Sequence, residues 1–308
     1  MWETAEQEYS ESASAGFLIL QPTPSVLKFG ACPPNSGAGE VTLTPTADAT
    51  LYENLFGDTA NGSGDAFFIG KNNSNLIYRA LLRFDLSAIP DGATIESASL
   101  AVYCNRTLAG NEPATLHRVL ADWGEGASVP TGNGGAGAPA AEDDATWLYR
   151  FFIPPFGAGS PAWDNAGGDF DPTPSASTDI GGEFQFFTFS DPALAADVQS
   201  FVDGTLDNFG WLIRGREGGS SRSAKRFESK DSPNAEFHPR LTVVFSAGGG
   251  CTDADLVEPF GVLDLDDLQA FVDGFIAGDP IADITPPQGI FDLADIQAFI
   301  ASFNAGCP

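Results

Sequence analysis

The 308-residue chain is short of basic groups: 14 Lys and Arg stand against 42 Asp and Glu, a formal net charge of -28. That shortage excludes nucleic acid and anionic lipid as partners, because both are bound through a basic footprint. Histidine is scarcer still. His117 and His238 are isolated, each beside a strand-like run, so no nucleophile–His–acid or metal-hydrolase constellation exists. A glycosidase needs only two carboxylates, but among 42 acids a pair can always be found and carries no information. The chain is therefore read as non-catalytic. It also lacks any run of about 18 apolar residues, the length that would suggest membrane insertion. No signal peptide is visible: residues 1–15 are acidic and the apolar run at 16–20 is short, whereas an export signal begins basic and continues apolar for longer.

What is present begins with β patterning. Residues 1–40 are Ser/Pro/Gly-rich without periodicity and read as a disordered lead-in. From Val41, short β-type runs alternate with Gly/Asn/Asp/Pro turns: VTLTP (41–45), ATLYEN (49–54), DAFFIG (65–70), YRALLRFDL (78–86) and SLAVYC (99–104). The pattern resumes with FQFFTF (184–189), GWLIRGR (210–216), SAKRFES (223–229) and RLTVVF (240–245). Many short strands with turn signals predict an all-β sandwich or barrel over 41–246. One helix is expected after Asp191-Pro192, a cap and first-turn pair, with Leu194, Val198, Phe201 and Val202 at helical spacing. Residues 124–183 form a long Gly/Pro/Asp-rich excursion, and a loop of that length is often functional.

Residues 247–250 (AGGG) read as a linker, and the chain changes beyond them: 251–308 contains eleven Asp and Glu and no Lys or Arg. PFGVLDLDDLQAFVDGFIAGDP (259–280) repeats as PQGIFDLADIQAFIASFNAGCP (287–308) with a 28-residue period. Each copy is a loop leading into an amphipathic helix, and two such helices should pack on each other. Cys251 and Cys307 lie 56 residues apart, twice the period. They open and close the two-unit module, and a disulfide between them would stabilise it by about 4 kcal/mol in the chain-entropy model. Such a bond implies an oxidising compartment, consistent with an extracellular or cell-surface location.

The repeat resembles the dockerin family, closest to a planctomycete-type variant, over residues 251–308. That resemblance implies a protein receptor and two Ca²⁺ loops, with ligands from Asp255, Asp264 and Asp267 in one and Asp283, Asp292 and Asp295 in the other. The middle ligand positions are replaced by VEPF and TPPQ, and each loop is one residue longer than the family pattern. An alternative use for Asp264 and Asp292 is to cap the helix N-termini. Residues 41–246 resemble the DNRLRE family, related to carbohydrate-binding module family 96, through RALLRFDLSAIPDGATI (79–95), ADWGEGAS (121–128), DVQSFVDG (197–204), NFGWLIRG (208–215) and AKRFESK (224–230). This resemblance implies a jelly-roll β-sandwich on an exported protein, binding an acidic polysaccharide such as alginate.

Six of the fourteen basic residues fall together: Arg214, Arg216, Arg222, Lys225, Arg226 and Lys230. Guanidinium groups grip carboxylates bidentately, so the cluster could read a uronate; equally, it could pair with acids of its own sheet. Trp123, Trp147 and Trp163 sit beside Gly-rich loops, and Trp123 is placed with the sugar-binding residues, although indoles also fill cores. Asp48, with Asp58 and Asp65, flanks a Gly/Asn-rich turn and offers a structural Ca²⁺ site or merely local turn hydrogen bonds. The expectation is a non-catalytic, carbohydrate-binding surface protein. The alternatives are a structural or adhesion protein without sugar binding and a polysaccharide-degrading enzyme.

Overall fold

A computed structural model describes residues 38–90, 92–219, 222–246, 252–257, 260–287 and 289–307. The lead-in of residues 1–37 and the linker at 247–250 lie outside the described residues. Strand pairing begins before the Val41 boundary read from sequence, because β1 (Ala38–Leu43) runs antiparallel to the last strand, β13 (Arg240–Ser246). The strands form two antiparallel layers. One is built on β6 (Thr94–Thr107), whose 14 residues take β13 and β12 (Lys225–Glu228) along one edge and β10 (Gln185–Ser190) along the other. The second is built on β5 (Ile77–Arg83), flanked by β2 (Ala47–Tyr52) and β11 (Trp211–Arg214) and extended by β7 (Glu112–Arg118) and β9 (Ala176–Ile180). A two-strand pair, β3 (Thr59–Ala60) with β8 (Ala138–Pro139), stands apart. The prediction of an antiparallel β-sandwich is met.

β4 (Ala66–Lys71) belongs to both layers, and its geometry explains how the sheet curls. Ala66 to Ile69 pair with β12, while Gly70 and Lys71 pair with β5. The corner falls at Gly70, whose φ of +89° suits glycine and whose missing side chain leaves room for the Ser223 carbonyl, 2.7 Å from where a Cβ would stand.

Alternation along the strands fills the space between the layers. Ala80 and Leu82 of β5, Leu100 and Val102 of β6, Ile213 of β11 and Phe227 of β12 all face one core. Phe67 and Phe227 stack there with ring centroids 5.3 Å apart. The expected helix, α1 (Pro192–Val202), closes this core with Leu194, Val198 and Phe201; its Asp191 side chain caps Ala193 N, and Asp197 accepts the Trp211 indole N–H at 3.0 Å.

The long excursion is not an open loop. It folds over the outer face of the β5 layer and buries a second apolar cluster, in which Trp123, Trp147 and Trp163 meet Leu51, Leu81 and Leu212. This is why Leu81 and Leu212 can be apolar on the face opposite the main core.

The C-terminal repeat forms α2 (Leu265–Ala277) and α3 (Leu293–Ala305). Phe271 and Phe299 occupy the same position in the two copies and stack on each other at 4.1 Å, forming the centre of the module's own core. Each helix opens with the same capping box, Asp264 with Asp267 and Asp292 with Asp295.

Candidate functional site

The six clustered cations do not form one surface. Arg214 lies under the excursion, bound to Glu217 at 2.7 and 3.2 Å and set 5.2 Å from the Phe170 ring. Arg216 grips Glu112 bidentately at 2.5 and 2.8 Å. Lys225 points inward; 1% exposed, its ammonium donates to the carbonyls of Ala109, Gly110 and Gly181. Arg226 pairs with Asp65, and Lys230 lies 3.0 Å from both Glu125 and Asp231. Arg222, exposed, donates to the Asn73 side chain. Pairing within the sheet therefore accounts for most of the run. Strand alternation sends Lys225 and Arg226 to opposite faces.

Trp123 does not serve as a sugar platform. It is 2% exposed, its indole N–H donates to Phe209 O at 2.9 Å, and Arg83 stacks on its face at 4.8 Å. Trp147 and Trp163 are equally core residues. Arg79 rests against Trp147 and Phe170 and holds Glu217 at 2.8 Å. Burial opposes ionisation of Glu217, yet the Arg79 and Arg214 guanidinium groups outweigh it and keep its carboxyl below the usual range.

Asp48 gathers with Glu125 and Asp231, carboxylate oxygens within 4.8 Å of one another, and not with Asp58 or Asp65. Asp58 accepts from Asn54, and Asp65 serves Arg226. The Lys230 ammonium already sits against Glu125 and Asp231, and its backbone N–H donates to Asp48. Burial pushes the Asp48 carboxyl up to about 8. In the repeat module the acids likewise serve the backbone. Asp267 Oδ1 accepts from Leu256 N and Val257 N, and its Oδ2 from Asp264 N; Asp295 repeats this with Thr285 N and Asp292 N. Asp255 and Asp283 close their loops on Gly261 N and Gly289 N. Asp264 and Asp292 thus take the capping alternative. Cys307 is disulfide-bonded, whereas Cys104 is a buried free thiol; Cys251 lies outside the described residues. His117 is held by Asp171 O and Thr115 Oγ1, and His238 by Ser232 O; among the described residues no carboxylate is bonded to either ring.

The structure instead brings forward a residue outside the basic run. β6 and β12 slip register at Arg226/Phe227, so that Phe227 faces Cys104 while Arg226 faces Arg106. Asn105 is the extra residue of this bulge, which re-aims the strand beyond it. Arg106, Arg226 and Phe68 then stand side by side on β6, β12 and β4, on the face away from the core. Beside them opens a hollow of about 400 Å³ lined by Asn72, Asn73, Ser74, Tyr78 and Asn133. It adjoins a second of about 310 Å³ lined by Glu53, Asn54 and Leu76, sharing Asn72, Tyr78, Gly135 and Ala136. The two make one elongated, amide-rich groove. Its floor is fixed by hydrogen bonds from Asn72 to the Tyr78 hydroxyl at 2.8 Å and from that hydroxyl to Gly135 O. Arg106 is exposed and, among the described residues, has no ion pair or side-chain hydrogen bond. No local sequence signal marks Arg106: it lies beyond the SLAVYC run, and the bulge that re-aims it is seen only in the pairing of β6 with β12.

Among curated proteins, none matches the chain significantly. Residues 39–129, the stretch that runs from β1 through Arg106 to the first part of the excursion, match carbohydrate-binding module family 96.

Proposed function

We propose that the chain is an exported, non-catalytic polysaccharide-binding protein that holds an anionic glycan, alginate-like in its carboxylates, along the amide-lined groove. The observation that carries this reading is Arg106, a guanidinium that has no ion pair or side-chain hydrogen bond among the described residues, at a groove whose lining among those residues includes a single acid, Glu53, on a molecule of net charge -28. A uronate carboxylate would complete it bidentately. Asn54, Asn72, Asn73 and Asn133 supply the donors and acceptors that sugar hydroxyls require. The family match over 39–129 supports carbohydrate as the ligand class.

The C-terminal helix pair is the anchoring part of this reading. Leu265 and Leu293, and Val272 and Ile300, are repeat-equivalent apolar side chains left exposed, a surface suited to a protein partner. The bonded Cys307 supports an oxidising, extracellular setting.

The test is calorimetric titration of the full chain with alginate oligosaccharides. Binding should weaken steeply with salt. Arg106→Glu should reduce affinity at least tenfold, while Arg216→Gln, which removes a cation already paired with Glu112, should change it little. Wild-type affinity in Arg106→Glu would remove the groove from the mechanism. Release of reducing ends or unsaturated products would favour the enzyme alternative.

A further inference from the structure

On the same outer face of the β6 layer lies an aromatic patch that belongs to none of the buried clusters among the described residues. Tyr103 stands three positions before Arg106 on β6 and is the register partner of Phe186 on β10. Its ring meets Phe186 edge-on at 5.1 Å and stacks on Phe237 at 4.0 Å with an interplanar angle of 16°. Arg240 lies over the Phe186 ring at 5.3 Å. These rings are not sealed in: Phe186 is 38% exposed, and Tyr103 and Phe237 are half-buried.

Phe184, two residues before Phe186, carries a second, independent sign. It is 68% exposed and holds φ at +65°, a conformation unfavourable for a bulky side chain. Gly181 and Gly182 lie just before it in the chain, yet the strained position is given to an aromatic ring projecting into solvent. The Phe184 backbone N–H donates to Cys104 O at 2.7 Å, tying the position to β6, and among the described residues the Phe184 ring belongs to none of the buried clusters.

We infer that Tyr103, Phe184, Phe186 and Phe237 form an apolar sugar-contact surface that takes the ring faces of the same glycan chain whose carboxylates Arg106 reads. The inference rests on the groove reading and extends it. Continuity argues for a glycan over a protein: the patch and the groove share β6 and one sheet face, and Arg240 and Arg106 bracket it. The register places Arg240 opposite Ala101, five residues from Arg106, or about 15 Å along the strand. That span suits an extended chain of several sugars with a cation near each end. The axial C–H groups of a pyranose are apolar enough to lie on aromatic faces, while its equatorial oxygens stay in water.

The experiment compares alginate oligosaccharides of increasing length on the full-length protein. Phe186→Ala is expected to lower affinity for long oligomers about two- to tenfold and to leave short ones, which fit the groove alone, unchanged. Phe184→Gly relaxes the backbone and so should not lower the melting temperature, yet it should also weaken the long oligomers. The aromatic loss should persist at high salt, unlike that of Arg106→Glu. Wild-type affinity for every length in both aromatic variants, alongside lost binding in Arg106→Glu, would overturn the aromatic surface and leave the groove standing. A wild-type protein that binds no oligomer of any length would overturn the groove reading and the extension with it.

Discussion

At the scale of single residues, the chain uses buried charge to hold loops in place. Arg79 and Arg214 share Glu217 beneath the excursion. Glu217→Gln would leave two guanidinium groups without their counter-charge, and loss of one partner from such a buried network costs about 3–5 kcal/mol. An unfolding free energy lowered by that amount in chemical denaturation, read as a lower midpoint at unchanged slope, is the expected result. Asp48 acts in the opposite sense. Its carboxyl sits near 8 in the folded chain against an ordinary 3.8, so between those limits the folded state holds a proton that the unfolded state releases. Stability from this residue is greatest at or below pH 4 and falls as pH rises toward 8, by up to about 1.4 kcal/mol per pH unit. Asp48→Asn should flatten that slope in melts taken from pH 4 to 8; an unchanged slope would show that another group causes it. The Arg214–Glu217 pair is legible in the sequence as a local contact, but its extension to Arg79, 138 positions from Glu217, and the bond from Lys230 to Asp48, 182 positions away, are not. A run of cations such as 214–230 is visible locally, as are its neighbours Glu217 and Asp231, but Glu112, Asp65 and Glu125 arrive from distant parts of the chain.

At the scale of elements, legibility tracked amphipathicity. Nine strand runs and α1 were marked by apolar alternation or by a cap. β7 and β9 were missed because each offers few buried apolar positions: Ala114 and Leu116 in EPATLHR, Ala176 and Ile180 in ASTDI. They become strands by pairing with β11 and with each other, a tertiary effect that overrides weak local preference. The bulge that turns Arg106 outward has no local signature either. The repeat module was clearer, and its helix starts fall on Asp264 and Asp292. Because Asp267 and Asp295 spend their oxygens on backbone N–H groups, the two helices should keep their circular-dichroism signal in excess EDTA. Asp264→Ala, by contrast, should destabilise the module by about 1 kcal/mol. Collapse of helicity on chelation would return these carboxylates to the ligand role that the dockerin resemblance implies.

At the scale of the whole molecule, two apolar clusters divide the β5 layer between them. The excursion, of a length that is often functional in a loop, is a lid on a second core, and its tryptophans are spent on stability. The proposed sugar site lies instead at strand ends and turns around β4, β6 and β12. Cys307 shows that the far end of the chain is covalently tied. Mass mapping without reductant should find it joined to Cys251, its counterpart across two repeat periods. Alkylation of Cys251 before reduction would reject that pairing.

Ala38 and Ser246 are register partners at one end of the β1–β13 pair. The chain therefore enters and leaves the sandwich at the same place. Tension applied through both flanking segments would load the ladder between these strands one hydrogen bond at a time, like a zip drawn from its end. A shearing arrangement would load every rung together. A sandwich so connected yields early under pull at its Ala38–Ser246 end, while Arg240 and the proposed glycan face lie at the other end of β13. If the polymer on that face and the partner on the helices are ever drawn apart, the pair of outermost strands is where this molecule lengthens first.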